Sequence, residues 1–421
     1  MTSEVCMMNR LAVVLAADSA TTVTGWNGTA REERYFKGAN KIFQLHDMEP
    51  VGLMIFDSAD LLRVPWELTI KTFRKQLGRK TFNTVEEYAK EFLEYLNDNV
   101  TLFPKEVQDE TVVSSAQATA VMWVTTAIED IDQANHQDAV TRFVTERRID
   151  LDDAEYSECL GEEAALKVIA DLTEQVISEV KAWLDVFEIA HPDDLQWIAE
   201  TAIIQVMKRP EANLGTTGLV FAGFGDHQIF PEMLEYLSCG IVGGRHIYYR
   251  KRAERIDHQT PTSIAAFAQT SMIDTFTLGL SEDAYASMML AVDEQLGAFL
   301  DEVVAASGGD AARIGDRNSL VQASAKKISK TVLEKARNEH SLPLRRVIGF
   351  LPVDEMAELA ETLITLQSLK ERVTKPSETV GGPVDVAVIT KHEGLVWIKR
   401  KLFFDSELNS RYKLRQAAQL A

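Results

Sequence analysis

The sequence predicts a mixed α+β protein, in which blocks of strands and blocks of helices follow one another along the chain. Apolar runs of strand length lie near the N terminus, between residues 218 and 267, and near the C terminus. Stretches in which apolar residues recur at helical spacing separate these runs. Because strands and helices are segregated rather than alternating, the order favours α+β layers over a parallel βαβ sheet.

The predicted strands are short apolar runs bounded by polar or turn-forming residues. They lie at residues 11–17, 41–45, 51–56, 218–223, 245–249, 264–267, 384–390 and 395–398. The first of them, LAVVLAA, is continuously apolar, as in a strand buried on both faces. The last two flank a turn and resemble a β-hairpin. Between the first two strands, the glycine-containing stretch 21–40 is predicted to be turns.

The predicted helices occupy the remaining long stretches. They lie within residues 57–97, 106–211, 272–306, 320–340 and 355–372. This order predicts a core in three pieces with two helical insertions. The core comprises residues 1–105, 212–280 and 345–421, and the insertions comprise residues 106–211 and 281–344.

The composition excludes several classes of protein. The 421 residues include 64 acidic and 44 basic ones, and the net charge of −20 disfavours binding to nucleic acid or to an anionic membrane. The chain has three cysteines, Cys6, Cys159 and Cys239, and no two of them form a C-x-x-C motif. Neither a disulfide framework nor a cysteine zinc site is therefore indicated. No apolar run approaches the roughly 20 residues of a membrane-spanning helix. We expect a cytoplasmic protein with no membrane or nucleic-acid partner.

Thr2 is a candidate nucleophile. It directly follows Met1, whose removal would leave a free N-terminal threonine. The α-amino group of such a residue can take the proton of its own hydroxyl, provided that the amine is neutral. A nearby cation would disfavour the protonated amine, whose ordinary pKa is roughly 7.7 to 8.0. Lys41 would supply that cation if Asp18 held it in an ion pair.

Each of these three residues also has a simpler interpretation. Small residues are common after an initiator methionine, an aspartate at the end of a strand is usually part of a turn, and an isolated lysine is usually solvated. Spacing alone leaves both interpretations open.

Two groups of motifs resemble one known family. Near the N terminus they are Thr2-Ser-Glu-Val5, the segment AVVLAADS at residues 12–19 and KIFQL at 41–45; near the C terminus they are Val353-Asp-Glu355, Gly381-Gly382 and DVAVIT at 385–390. In this order they resemble proteasome β subunits and related N-terminal-nucleophile hydrolases, chiefly over residues 2–100 and 345–400. The resemblance implies a four-layer αββα sandwich with helical insertions.

The resemblance also implies roles for individual residues. Thr2 would be nucleophile and base, Asp18 and Lys41 would tune it, and the backbone N–H of Ile55 would donate to the oxyanion. Supporting side chains would come from Thr270 or Ser271 and from the stretch before Gly381, where Ser377, Glu378 or Thr379 would substitute for the family's residues. The family has glycine where this chain has Ile55, which adds bulk next to the substrate.

Other motifs have ordinary structural interpretations. Gly223-Phe-Gly-Asp-His227 lacks the third glycine and the Lys-Ser/Thr of a phosphate loop and is more typical of a turn. His227, His246 and His258 do not have the spacing of a metal site. The basic cluster between residues 245 and 255 indicates a solvated or ion-pairing face.

The leading functional hypothesis is a threonine hydrolase that cleaves amide bonds of peptides or proteins through an acyl-enzyme on Thr2. It requires no cofactor and, by resemblance, forms homo-oligomers. Two alternatives stay open: a noncatalytic assembly or binding protein with the same sandwich, and an N-terminal-nucleophile amidase that acts on a small molecule.

Overall fold

The computed structural model describes residues 2–26, 31–99, 101–129, 131–306, 316–374, 380–405 and 407–420. Within these ranges the protein is a mixture of helices and antiparallel strand pairs, and the predicted α+β class is confirmed.

The strands are β1 Ser3–Asn9, β2 Ala12–Ala17, β3 Ala20–Trp26, β4 Arg31–Lys37, β5 Ile42–Gln44, β6 Val51–Asp57, β7 Asp60–Leu61, β8 Val64–Pro65, β9 Thr217–Gly223, β10 Glu232–Val242, β11 Arg245–Arg255, β12 Thr262–Ala268, β13 Asp385–Thr390 and β14 Gly394–Lys399. The helices are α1 Trp66–Leu77, α2 Val85–Asp98, α3 Lys105–Ile128, α4 His136–Asp152, α5 Glu162–Val186, α6 Leu195–Lys208, α7 Pro210–Asn213, α8 Ser271–Leu278, α9 Glu282–Ala306, α10 Arg317–Ala336, α11 Leu342–Ile348, α12 Val353–Thr374 and α13 Ser410–Leu420.

The chain forms two compact units. The first comprises Met1–Phe56, Ala222–Glu232 and Glu254–Ala421, and the second comprises Asp57–Phe221 and Met233–Ala253. These boundaries differ from the division predicted from the sequence. Residues 57–105, predicted to belong to the core, lie in the helical second unit, and residues 281–344, predicted to be an insertion, lie in the first.

The first unit is built on one antiparallel sheet with the strand order β12-β1-β2-β13-β14. β2 is buried on both faces, as its unbroken apolar sequence predicts. On one face of the sheet, Val5 and Val14 pack against Met356 and Leu363 of α12.

The β5–β6 pair covers the opposite face of this sheet. Gly52 of β6 approaches it so closely that a Cβ there would lie 2.9 Å from Ile389 Cδ1 and 3.2 Å from Leu15 Cδ1. The first unit therefore has a helix, a sheet and a further strand pair in successive layers. The four-layer sandwich as a whole stays a prediction.

The second unit contains a helical core, the short strands β7 and β8, and most of β9, β10 and β11. α3, α5 and α6 bury one apolar cluster, which includes Val124, Val176 and Ile203. β10 and β11 are joined by Gly243 and Gly244, whose φ angles of 57° and 76° favour glycine and suit a tight hairpin turn. α3 is the one helix among the described residues that is long and apolar enough to cross a membrane, and its apolar side chains pack into this cluster.

Six strands, namely β1, β3, β4, β7, β8 and β10, were not predicted from the sequence. β1 has polar and sulfur-containing residues among its apolar ones, and the β3–β4 pair lies in the stretch predicted to be turns. β7 and β8 are two residues long each. β1 pairs with the distant β12 as well as with β2, and local propensity does not reveal such pairing.

Candidate active site

The strand β1 determines which side chains at the N terminus face the same way. Successive side chains of a strand point to opposite faces, and Val5 lies on the face that packs against α12. Glu4 and, one residue before the strand, Thr2 therefore lie on the other face, toward the β5–β6 pair. The Thr2 carbonyl accepts a hydrogen bond of 2.9 Å from the Gln269 N–H, which holds the start of the chain against β12.

Asp18 is the most firmly held residue of the site. It directly follows β2 and is fully buried. Its carboxylate accepts backbone N–H groups from Ser3 at 3.1 Å, Ala20 at 3.3 Å and Gly381 at 2.7 Å. Gly381 has a φ of 148°, a value that L side chains rarely adopt, so a glycine suits the position from which this N–H reaches Asp18.

Lys41 lies between two buried carboxylates. It directly precedes β5, and only 5% of it is exposed. Its Nζ forms an ion pair with Asp18 and lies 3.1 Å from Glu4 Oε1. The ion pair of Asp18 and Lys41 on which the sequence hypothesis depends is therefore present in the structure, together with a second carboxylate.

Glu4 is a residue of the candidate site that the sequence analysis did not single out. It is completely buried, and burial raises its pKa from 4.5 to about 7, although the positive charge of Lys41 opposes the rise. The negative charge of Asp18 adds to the rise, and the Thr2 hydroxyl opposes it. The signal was available in the spacing, since residues 2 and 4 of a strand share a face, but β1 was not predicted.

The Thr2 hydroxyl is buried next to the Glu4 carboxyl. Thr2 is 4% exposed. Among the described residues no partner of its Oγ1 meets strict hydrogen-bond geometry, yet the hydroxyl lies close enough to the Glu4 carboxyl to oppose the rise of its pKa. A buried hydroxyl beside a carboxyl that itself pairs with Lys41 is a candidate nucleophile.

The prediction that Ile55 supplies the oxyanion donor is wrong for this structure. The Ile55 N–H donates to the Lys41 carbonyl at 2.9 Å. This hydrogen bond belongs to the antiparallel pairing of β5 with β6, in which Ile42 lies opposite Met54. The strand pairing thus uses the donor that the oxyanion would require.

The predicted supporting hydroxyls are directed elsewhere. Thr270 donates to Asp274 at 2.6 Å, and Ser271 accepts from Lys370 Nζ at 2.8 Å. The first contact lies within the start of α8, and the second joins α8 to α12. Neither contact brings a hydroxyl to Lys41. Ser377 lies outside the described residues.

The remaining sequence motifs have structural roles. A Cβ at Gly223 would lie 2.0 Å from the Pro50 carbonyl oxygen, so close backbone approach explains the glycine of the loop-like motif. His246 is fully buried, with its Nε2 2.7 Å from Ser238 Oγ, and burial lowers its pKa to about 3. Over the described part of the chain, no group of three or more His, Cys, Asp or Glu side chains could hold a metal ion.

Comparisons with known proteins do not identify a family for this chain. No family model matches the chain, and no curated protein matches it. Among solved structures, the chain is similar to the (Gly-1) mutant of Anbu, a proteasome-related protein from Hyphomicrobium sp. strain MC1, with 9% identity, 99% of this chain and 96% of that chain covered, and a TM-score of 0.30. A likeness at this level is distant and supports no argument about function.

The motifs at both ends predicted that the chain belongs to the proteasome β-subunit family. That prediction is therefore wrong. The motifs are short, and the long segments between them match no family model.

Proposed function

We propose that this protein is an amide-bond hydrolase whose nucleophile is Thr2 after removal of Met1. The observation that carries the proposal is the buried Thr2 hydroxyl beside the Glu4 carboxyl, which together with Asp18 holds Lys41 in place. The substrate class that we propose is a peptide or protein.

The reaction begins with proton transfer inside one residue. The neutral α-amine of Thr2 takes the hydroxyl proton while Oγ1 attacks the amide carbonyl carbon. The carbon–nitrogen bond of the amide then breaks, and the leaving amine receives the proton. Water hydrolyses the resulting ester, which releases the acid and restores Thr2.

Lys41 supports this step through its charge. An ammonium group near the α-amine disfavours the protonated form of that amine and so increases the fraction that can act as a base. Asp18 fixes the position of Lys41, since its carboxylate is itself held by three backbone N–H groups.

A noncatalytic protein with the same buried cluster is the second candidate. The hydrogen bond from Ile55 to Lys41 favours it, because this bond removes the oxyanion donor that the hydrolase would be expected to use. In this alternative the Lys41 ion pairs serve only to join β1, β2 and β5.

The test is chemical trapping of the N terminus. Intact mass and N-terminal sequencing of the native protein should show Thr2 as the first residue, and an electrophile such as a β-lactone should add once. Thr2→Ala should lose the adduct, and Thr2→Ser should keep it because the hydroxyl and amine are retained. Retention of Met1, or an unchanged adduct in Thr2→Ala, would refute the proposal.

A further inference from the structure

The cluster around Lys41 contains one more carboxylate than the proposed mechanism uses. Asp18 and Glu4 are both fully buried, and both lie within ion-pair distance of Lys41 Nζ. If both carboxylates are ionised, the three side chains carry a net charge of −1. If one carboxyl is protonated, the net charge is zero.

The surroundings of the two carboxylates differ. Asp18 accepts three backbone N–H groups. No backbone N–H group of the described residues donates to Glu4, whose one cationic neighbour at ion-pair distance is Lys41. Glu4 therefore depends on Lys41 for the stabilisation of a negative charge.

The two strands paired with β1 place apolar residues directly opposite Glu4. Opposite Glu4, β2 contributes Ala17 and β12 contributes Phe267. The groups that act on Glu4 are the positive charge of Lys41, the negative charge of Asp18 and the Thr2 hydroxyl.

We propose that Glu4 is a positioning residue of the Thr2 site, which shares Lys41 with Asp18 and sets the net charge facing the Thr2 amine by gaining or losing a proton. This inference rests on the proposed function for its catalytic consequence. Because burial brings the pKa of Glu4 to about 7, the change of charge falls in the range where an N-terminal amine also titrates. An ionised Glu4 stabilises the protonated amine and restrains the nucleophile, whereas a protonated Glu4 removes that restraint.

The catalytic consequence is tested by the pH dependence of trapping. Glu4→Gln removes the negative charge, so the pKa of the Thr2 amine falls and the acid limb of the trapping rate moves to lower pH. We expect trapping about threefold to tenfold faster than in the unmodified protein near pH 6.5, and equal rates above about pH 9, where the amine is neutral in both. Glu358→Gln, at an exposed position of α12, is the matched control and should leave the profile unchanged.

The charge coupling is tested without any reaction. In protein labelled with carbon-13 at the glutamate carboxyls, the resonance that Glu4→Gln removes should titrate near pH 7 in the unmodified protein. Lys41→Met removes the cation that favours ionised Glu4, so this midpoint should rise.

These two measurements separate the inference from the proposed function. A protein with free Thr2 that is never trapped refutes the hydrolase, while the titration of Glu4 still decides the charge coupling. A Glu4 midpoint near its ordinary 4.5, a midpoint that Lys41→Met leaves unchanged, or a trapping profile that Glu4→Gln does not shift would overturn the inference. If Glu4→Gln fails to fold, the titration in the unmodified protein and its response to Lys41→Met decide alone.

Discussion

Replacement of Glu4 by glutamine should change how the stability of the protein depends on pH. The pKa of the Glu4 carboxyl is about 7 in the folded protein and 4.5 in the unfolded chain. Between these two pH values the carboxyl is protonated in the folded protein and ionised in the unfolded chain. The unfolded chain then binds fewer protons than the folded one, so stability falls as the pH rises from 4.5 to 7. The sign is opposite to that of an ordinary salt-bridged carboxylate.

The magnitude follows from the two pKa values. Their difference corresponds to a loss of about 3 kcal/mol in the free energy of unfolding between pH 4.5 and pH 7. Glu4→Gln cannot titrate, so its free energy of unfolding, minus that of the unmodified protein, should rise by about this amount over the same interval. Loss of the ion pair with Lys41 also changes the stability of the variant by a constant amount of either sign. This constant does not affect the slope of the difference against pH.

The assay is urea unfolding of both proteins at several pH values from 4.5 to 8, and the quantity of interest is the difference between them, in which the other titrating groups cancel. Glu358→Gln should differ from the unmodified protein by an amount that does not change with pH. A Glu4→Gln difference that is flat across this range, or that falls as the pH rises, would refute the reasoning.

Three further perturbations test other parts of the structure. Burial lowers the pKa of His246 from 6.5 to about 3, so this residue should reduce the free energy of unfolding by up to about 5 kcal/mol as the pH falls from 6.5 to 3. In urea unfolding, His246→Gln should lose this dependence on acid pH. An unchanged acid slope in the variant would contradict the burial of a neutral imidazole. Gly223→Ala should lower the free energy of unfolding by at least about 2 kcal/mol, because the added Cβ would meet the Pro50 carbonyl. Gly38→Ala is the control and should lower it far less, because the space around Gly38 is open. Similar melting temperatures for the two variants would count against the close approach. Thr84→Ala removes the side chain that caps α2 and should cost about 1 kcal/mol in thermal unfolding, so a variant as stable as the parent would show that the cap contributes nothing.

The parts of the fold that were predictable are those in which the apolar pattern of one segment is enough to identify it. The sequence LAVVLAA of β2 needs no partner to identify it, since a continuous apolar run is stable only inside a protein. The same holds for α5, whose apolar residues recur at helical spacing, and for the hairpin of β13 and β14. β1 was missed because Glu4 and Asn9 interrupt its apolar pattern, although both are buried in the structure.

The candidate site was predictable only in part. The pairing of Asp18 with Lys41 was a hypothesis that spacing left open and that the family resemblance favoured, and the structure brings the two together. The oxyanion donor was mispredicted because the N–H of Ile55 is used by strand pairing, and hydrogen bonds between distant segments are not visible in a sequence.

By itself the sequence determined the α+β class, the acidic character of the protein and the three residue types from which a nucleophile could be assembled at its N terminus. These properties depend on composition and on short-range periodicity. Only the tertiary structure decided that Glu4 joins them, because the proton affinity of a carboxyl depends on its depth of burial and on the charges around it, and both are set when β1, β2 and β5 come together.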